Sequence, residues 1–123
     1  MRTLAALALF ALSVAPVMAG PTTSEGRISV AQVMEMMQRA PRDAGARNTA
    51  LAYIAGVGEA AGFMVSQAIA KGVAPPKCTR KLSLSEDSLL AALSAAAPDT
   101  ASWAETPATP IILADLFARA GCN

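Results

Sequence analysis

The apolar positions of this 123-residue chain fall into five blocks separated by Pro, Gly and polar punctuation. Thr3 to Val14 is a nearly unbroken apolar run behind Arg2, and Val17-Met18-Ala19 places small residues where a signal peptidase reads them. About 12 apolar residues fall short of the roughly 20 that a membrane span needs. The expectation is a cleaved leader over 1–19, cut after Ala19, and a periplasmic mature chain; the competing reading is an uncleaved membrane anchor. A cut after Ala15 is disfavoured because Pro16 would follow the scissile bond, and no Cys stands at the cleavage site to take a lipid. Residues 20–27 follow as a polar, mobile lead-in, and 28–123 as the folded domain.

Within that domain the periodicity is helical. Ser29 with Gln32 forms a capping-box pattern ahead of Val30, Val33, Met34 and Met37, one face of a helix that Pro41 ends. The methionines suit an adaptable binding surface, but their spacing favours core. Asp43 opens a longer helix to about Lys71, with Ala50, Ile54, Val57, Ala61, Met64, Val65 and Ala68 on one stripe and Tyr53 beside it. Gly56, Gly58 and Gly62 each cost about 1 kcal/mol of helix propensity against Ala. Close approach of another helix to this small-residue face is the expected compensation, and a bend or a break near Gly58 is the alternative. Gly72 and Pro75-Pro76 end the element.

Ser83 with Glu86 is a second capping pattern, leading into Leu89, Leu90, Leu93 and Ala97. Glu86 and Asp87 suit the orphan amides and dipole of a first turn. As a catalytic pair they fail, because adjacent helical residues diverge. Asp99 to Glu105 is a linker or a short helical turn. Thr106 as cap and Pro107 as first residue start a last helix carrying Ile111, Ala114, Leu116 or Phe117 and Ala118, which Gly121 ends. The predicted class is all-α, a compact bundle of four to five helices with one disulfide.

Composition narrows the chemistry. Taking Arg2 away with the leader leaves nine Lys and Arg against nine Asp and Glu over 104 residues. Neither nucleic acid nor an anionic membrane is a default partner for so balanced a domain, and no stable membrane insertion is expected after the leader is lost. The sequence contains no His, which removes Ser–His and Cys–His nucleophiles and His-containing metal sites. No cofactor, metal or catalytic residue is assigned. A Ser followed three residues later by Lys does not occur after the leader, so no common motif supports an enzyme.

Cys78 and Cys122 are the two cysteines. An even pair in an exported chain is expected to form a disulfide, against the alternative of two buried thiols. Closing a loop of about 45 residues would restrict the unfolded chain by roughly 4 kcal/mol in the chain-entropy picture. The segment 71–81 holds Lys71, Lys77, Arg80 and Lys81 with no acid and with Cys78 near its centre. A tethered basic loop suits an enzyme groove, and an ordinary solvated loop is the competing reading. Trp103 is a second candidate contact, since Trp is enriched at binding hot spots. In a domain this poor in aromatics, however, the favoured reading of Trp103 is a packing anchor.

Tyr53-Ile54-Ala55-Gly56-Val57, the Pro75-Pro76-Lys77-Cys78-Thr79 loop about twenty residues later, the capped helix after it and the near-terminal Cys122 occur in an order that resembles the Rap/Tai immunity proteins of bacterial type VI secretion. The likeness covers roughly Ile28 to Cys122. It implies a compact α-helical periplasmic domain, a homodimer, and a protein partner: a peptidoglycan amidase toxin whose groove the domain obstructs without catalysis. Members of the family often carry another cysteine pair between the first two helices; here Ala50 stands at the position before Tyr53, and Gln38 and Arg39 end the first helix. The alternative function is a small helical acid-stress chaperone of the periplasm, which exposes apolar surface when carboxylates protonate.

Overall fold

The computed structural model describes residues 22–123; the expected leader and its cleavage point lie outside the described residues. Among the described residues four helices run in chain order: α1 (Val30–Arg39), α2 (Ala44–Ala70), α3 (Glu86–Ala96) and α4 (Ala108–Arg119), with a 3-10 turn at Thr100–Ser102. Among the described residues there is no strand beyond two isolated bridges, Ser29 with Pro107 and Cys78 with Cys122. The chain is all-α, as the periodicity predicts, with the one disulfide expected from its two cysteines.

Each helix starts where its first orphan amides find acceptors. At α1 the capping box forms in full: Gln32 N–H donates to Ser29 Oγ, and Ser29 N–H donates to Gln32 Oε1. The two amides that this box leaves over are taken by the turn ahead of α4. Val30 N–H donates to the Thr106 carbonyl at 2.8 Å and Ala31 N–H to the Trp103 carbonyl at 3.2 Å. At α2, Asp43 Oδ1 accepts from Gly45 and Ala46 amides at 2.8 and 3.2 Å, while Oδ2 pairs with Arg39. Those amides, chiefly that of Ala46, and the Arg39 contact hold the Asp43 carboxyl below its ordinary range.

Two starts differ from the sequence reading. The cap of α3 is Ser85, not Ser83, with Ser88 closing the box. Shifting the start by two residues leaves Leu84 free to pack against the core, and keeps Glu86 and Asp87 in the first turn. At α4, Pro107 is itself the cap residue and Thr106 does not cap; the Thr106 hydroxyl donates to Ser102 instead. Ala108 N–H, the first helical amide, goes to the Ile28 carbonyl at 3.0 Å, and Pro110 in the first turn has no N–H to satisfy.

α2 and α4 end alike. In each, a glycine with positive φ (Gly72 at 69°, Gly121 at 64°) lets the chain turn back so that two amides reach carbonyls of the last turn. Gly72 donates to Ile69 and Val73 to Ala68; Gly121 donates to Ala118 and Cys122 to Phe117. These are Schellman closures. At Gly121 a Cβ would also collide with Thr79 Oγ1.

The core gathers Val30, Val33 and Met37 from α1, Ala50 and Val57 from α2, Leu89 and Leu93 from α3, Ala97 after it, and Ala108 and Ile112 from α4. α1 packs chiefly on α2 and α3 on α4. The buried row of α4 is Ala108, Ile112, Leu116 and Ala120, at spacings of four; Ala114 and Ala118, placed on that face by the sequence, are exposed. The described part of the lead-in is hydrogen-bonded to the domain. Thr23 is buried, its N–H donates to the Arg27 carbonyl, and Ser24 donates from both N–H and hydroxyl to Glu105 Oε2. Those two donors depress the Glu105 pKa.

α2 departs most from expectation. It is unbroken through Gly56, Gly58 and Gly62, so the helix does not break near Gly58. Within the chain, however, nothing approaches within 4 Å of a Cβ placed on any of the three, so the expected close helix contact is absent among the described residues. After Ala61 no residue of α2 is buried: Met64 is 54% exposed and Phe63 63%. The buried residues of α2 lie in its first two-thirds, where Tyr53 also meets α4, and its last nine residues contribute none.

Candidate functional site

The connection between α2 and α3, residues 71–85, is long and has no secondary structure beyond the Cys78 bridge. Loops of this length in small domains are commonly functional. This one is fixed along its middle. Lys77 N–H donates to the Asn123 carbonyl at 3.1 Å, and Asn123 N–H returns to Lys77 at 3.3 Å. Beyond the cysteines, Thr79 donates to Gly121 and Arg80 to Ala120. Cys78 and Cys122 face each other inside this short antiparallel ladder and are joined as a disulfide, so the sequence expectation of one bridge holds.

The ladder depends on Gly121. The Schellman turn at the end of α4 aims the tail back along the loop, and the missing Cβ makes room for Thr79, whose hydroxyl donates to the Ala120 carbonyl at 3.3 Å. From the loop's other side Arg119 reaches the Ser83 carbonyl at 3.2 Å while pairing with Asp115. The loop therefore has a covalent tie, a backbone ladder and a side-chain brace, all against the C-terminal end of α4.

Lys71, Lys77, Arg80 and Lys81 are all exposed. Among the described residues none of the four pairs with a carboxylate; the ion pairs lie elsewhere, at Arg27–Glu25, Arg39 with Glu35 and Asp43, and Arg119–Asp115. The ladder gathers Lys77 and Arg80 on the two sides of the disulfide, with Lys81 next in sequence. Lys71 stands apart at the C-cap of α2. The result is a local positive surface with its backbone already ordered, which suits recognition of an acidic partner surface at a low entropic cost of binding.

Trp103 is at the other end of the molecule. Its ring is half-buried against the core, and its indole N–H donates to the Ala97 carbonyl at 2.8 Å. Its own carbonyl caps α1, next to the start of α4. The twelve residues of α4 separate this point from the ladder by about 18 Å. The structure thus does not bring Trp103 and the basic loop to one surface, and the geometry of Trp103 is that of a packing anchor.

Sequence reasoning did not find two further features. Tyr53 Oη lies 3.0 Å from Thr109 Oγ1, tying α2 to α4; burial of the phenol raises its pKa. A shallow groove of about 470 Å³ runs between the N-terminal turn and the start of α4, lined by Ile28, Pro107, Pro110 and Leu113 among others. It is almost wholly apolar and gathers no reactive groups. Among the described residues no set of three Asp, Glu, Cys or His side chains is placed to hold a metal ion. Comparison with known proteins finds no matching family model, no matching curated protein and no matching solved structure.

Proposed function

We propose that this chain is a periplasmic binding protein that acts by occupying a partner's surface, and that the partner is a peptidoglycan amidase of the type VI effector class. The observation that carries this reading is the clamped basic loop. A disulfide and a backbone ladder order it before any partner arrives, and among the described residues none of its cations forms an ion pair. Preformed charge of this kind raises the association rate with an acidic groove and lowers the ordering cost of binding. The likeness of the Tyr53–Val57 and Pro75–Thr79 segments to Rap/Tai immunity proteins supplies the class of partner.

The test is inhibition of peptidoglycan hydrolysis. Residues 20–123, purified oxidised, should stop muropeptide release by a type VI amidase at near-equimolar ratio. The triple variant K77E/R80E/K81E should bind at least tenfold more weakly at unchanged thermal stability. If the wild-type chain slows none of the amidases in a panel spanning that class, the reading fails.

The acid-stress chaperone is the second reading, and the exposed apolar length of α2 is the observation that favours it. Apolar-dye binding between pH 7 and pH 2 separates the two. A sharp rise, with suppression of client aggregation at low pH, belongs to a chaperone; a flat response belongs to the inhibitor.

A further inference from the structure

We infer that α2 is the interface through which two copies of this chain pair, antiparallel, along the stripe Leu51, Ala55, Gly58, Gly62, Val65 and Ile69. The starting point is a helix whose composition and surroundings disagree. Between Arg47 and Lys71 only Glu59 carries a charge, yet in this helix only Ala50, Val57 and Ala61 are buried. A helix that is apolar on every side is normally covered on every side. Leu51 and Ile69 are each 60% exposed.

The six stripe positions are spaced four, three, four, three and four, so they share one side of the helix. That side is distinct from the row that faces the core, which runs through Ala50, Val57 and Ala61. Residue size falls from both ends toward the middle: Leu, Ala, Gly, then Gly, Val, Ile. Turned end for end about a point between Gly58 and Gly62, the stripe sets Leu51 against Ile69, Ala55 against Val65 and Gly58 against Gly62. A two-fold interface needs such self-complementarity. The glycines set the approach: the space in front of both is open, so a second backbone can come close there. Ser66 beside the stripe donates its hydroxyl to the Gly62 carbonyl of its own helix and asks nothing of a neighbour. Antiparallel packing also places opposite ends of the two helix dipoles together.

The area is sufficient. From Leu51 to Ile69 the helix rises about 27 Å, and half the circumference of a helix 10–12 Å across then gives about 500 Å² per chain. The total, about 1,000 Å², reaches the lower limit of specific protein interfaces. A bilayer is a poorer occupant, although α2 has the length and composition of a membrane-crossing helix. Its first half is packed into the core and hydrogen-bonded to α4 through Tyr53, so lipid could surround it only by dismantling the domain.

Sedimentation equilibrium of residues 20–123 at about 100 µM should give twice the chain mass. In G58L/G62L the mass should fall to that of one chain while far-ultraviolet circular dichroism holds, since both positions are open and Leu suits a helix. Orientation is read by cysteine pairing, with the native disulfide intact. An equimolar mixture of Leu51→Cys and Ile69→Cys chains should cross-link under mild oxidation, and neither variant should do so alone. A wild-type chain that stays monomeric at 100 µM overturns the proposal. So does a G58L/G62L protein that remains dimeric, cross-linking within each single variant, or monomeric co-sedimentation with neutral phosphatidylcholine vesicles. None of these readouts depends on an amidase, so the two readings fail independently.

Discussion

The two parts of α2, residues 44–61 and 62–70, are both largely apolar and meet different surroundings. Over 44–61, Ala50, Val57 and Ala61 are buried, and Tyr53 is joined to Thr109. Over 62–70 nothing is buried, although Phe63, Met64, Val65 and Ile69 make this half the more hydrophobic. Apolar content therefore does not decide what the monomer covers; the reach of its neighbours does. α1 has ten residues and α4 twelve, about 15 and 18 Å, against about 40 Å for α2. The remainder must be covered from outside the chain or stay exposed.

This contrast can be broken at several points. The largest effect is expected from the disulfide, which ties the loop after the free half of α2 to the end of α4. C78S/C122S should lose about 4 kcal/mol, or roughly 20 °C in Tm, by thermal denaturation. Next comes a core truncation. Leu93→Ala, at a fully buried position, should cost about 3 kcal/mol in urea unfolding. Phe63→Ala, in the free half, should change the stability of dilute monomer by less than about 0.5 kcal/mol. Equal losses from the two would erase the distinction between the halves.

Glycines sharpen it with opposite signs. Gly121→Ala forces a side chain into a positive-φ turn and against Thr79, and should cost about 2 kcal/mol. Gly62→Ala, helical and open, should stabilise dilute monomer by up to about 1 kcal/mol. Chemical denaturation at low micromolar concentration measures both.

The smallest effect is on pH. Asp43 at the start of α2 and Glu105 beside the N-terminal turn have folded pKa values below their ordinary ones. A depressed carboxylate stabilises the fold above its unfolded pKa, and that contribution disappears as pH falls through the folded value. Stability should therefore decline below about pH 4. Asp43→Asn should flatten part of that slope when unfolding is followed from pH 5 to pH 2.

Much of the fold was legible in the sequence, because helix starts and stops are local chemistry. Ser29 with Gln32, Asp43, Gly72 and Gly121 all act as their residue types require. The misreadings were also local in origin. Ser83 and Ser85 offer equivalent hydroxyls, and packing of Leu84 chose between them. On α4, Ala114 and Ala118 are apolar but small, so they read as core positions while Ile112 holds the buried row. The glycines of α2 read as a sign of close packing, but sequence could not show that Gly56 and Gly58 lie off the row that faces the core, or that the core ends at Ala61, one residue before Gly62. In the candidate site, the disulfide and the four cations were visible as residue types. The ladder from Lys77 to Arg80 along the tail was not, since backbone pairing between distant segments leaves no side-chain signature.

Amide hydrogen exchange along α2, at low and high protein concentration, tests the central claim most directly. Amides over 44–61 should be protected to the level of global unfolding at both concentrations. Those over 62–70 should exchange rapidly when dilute and slow by at least tenfold near 100 µM, as a second chain covers them. Equal protection of the two halves in dilute solution, or exchange over 62–70 that ignores concentration, would contradict the account.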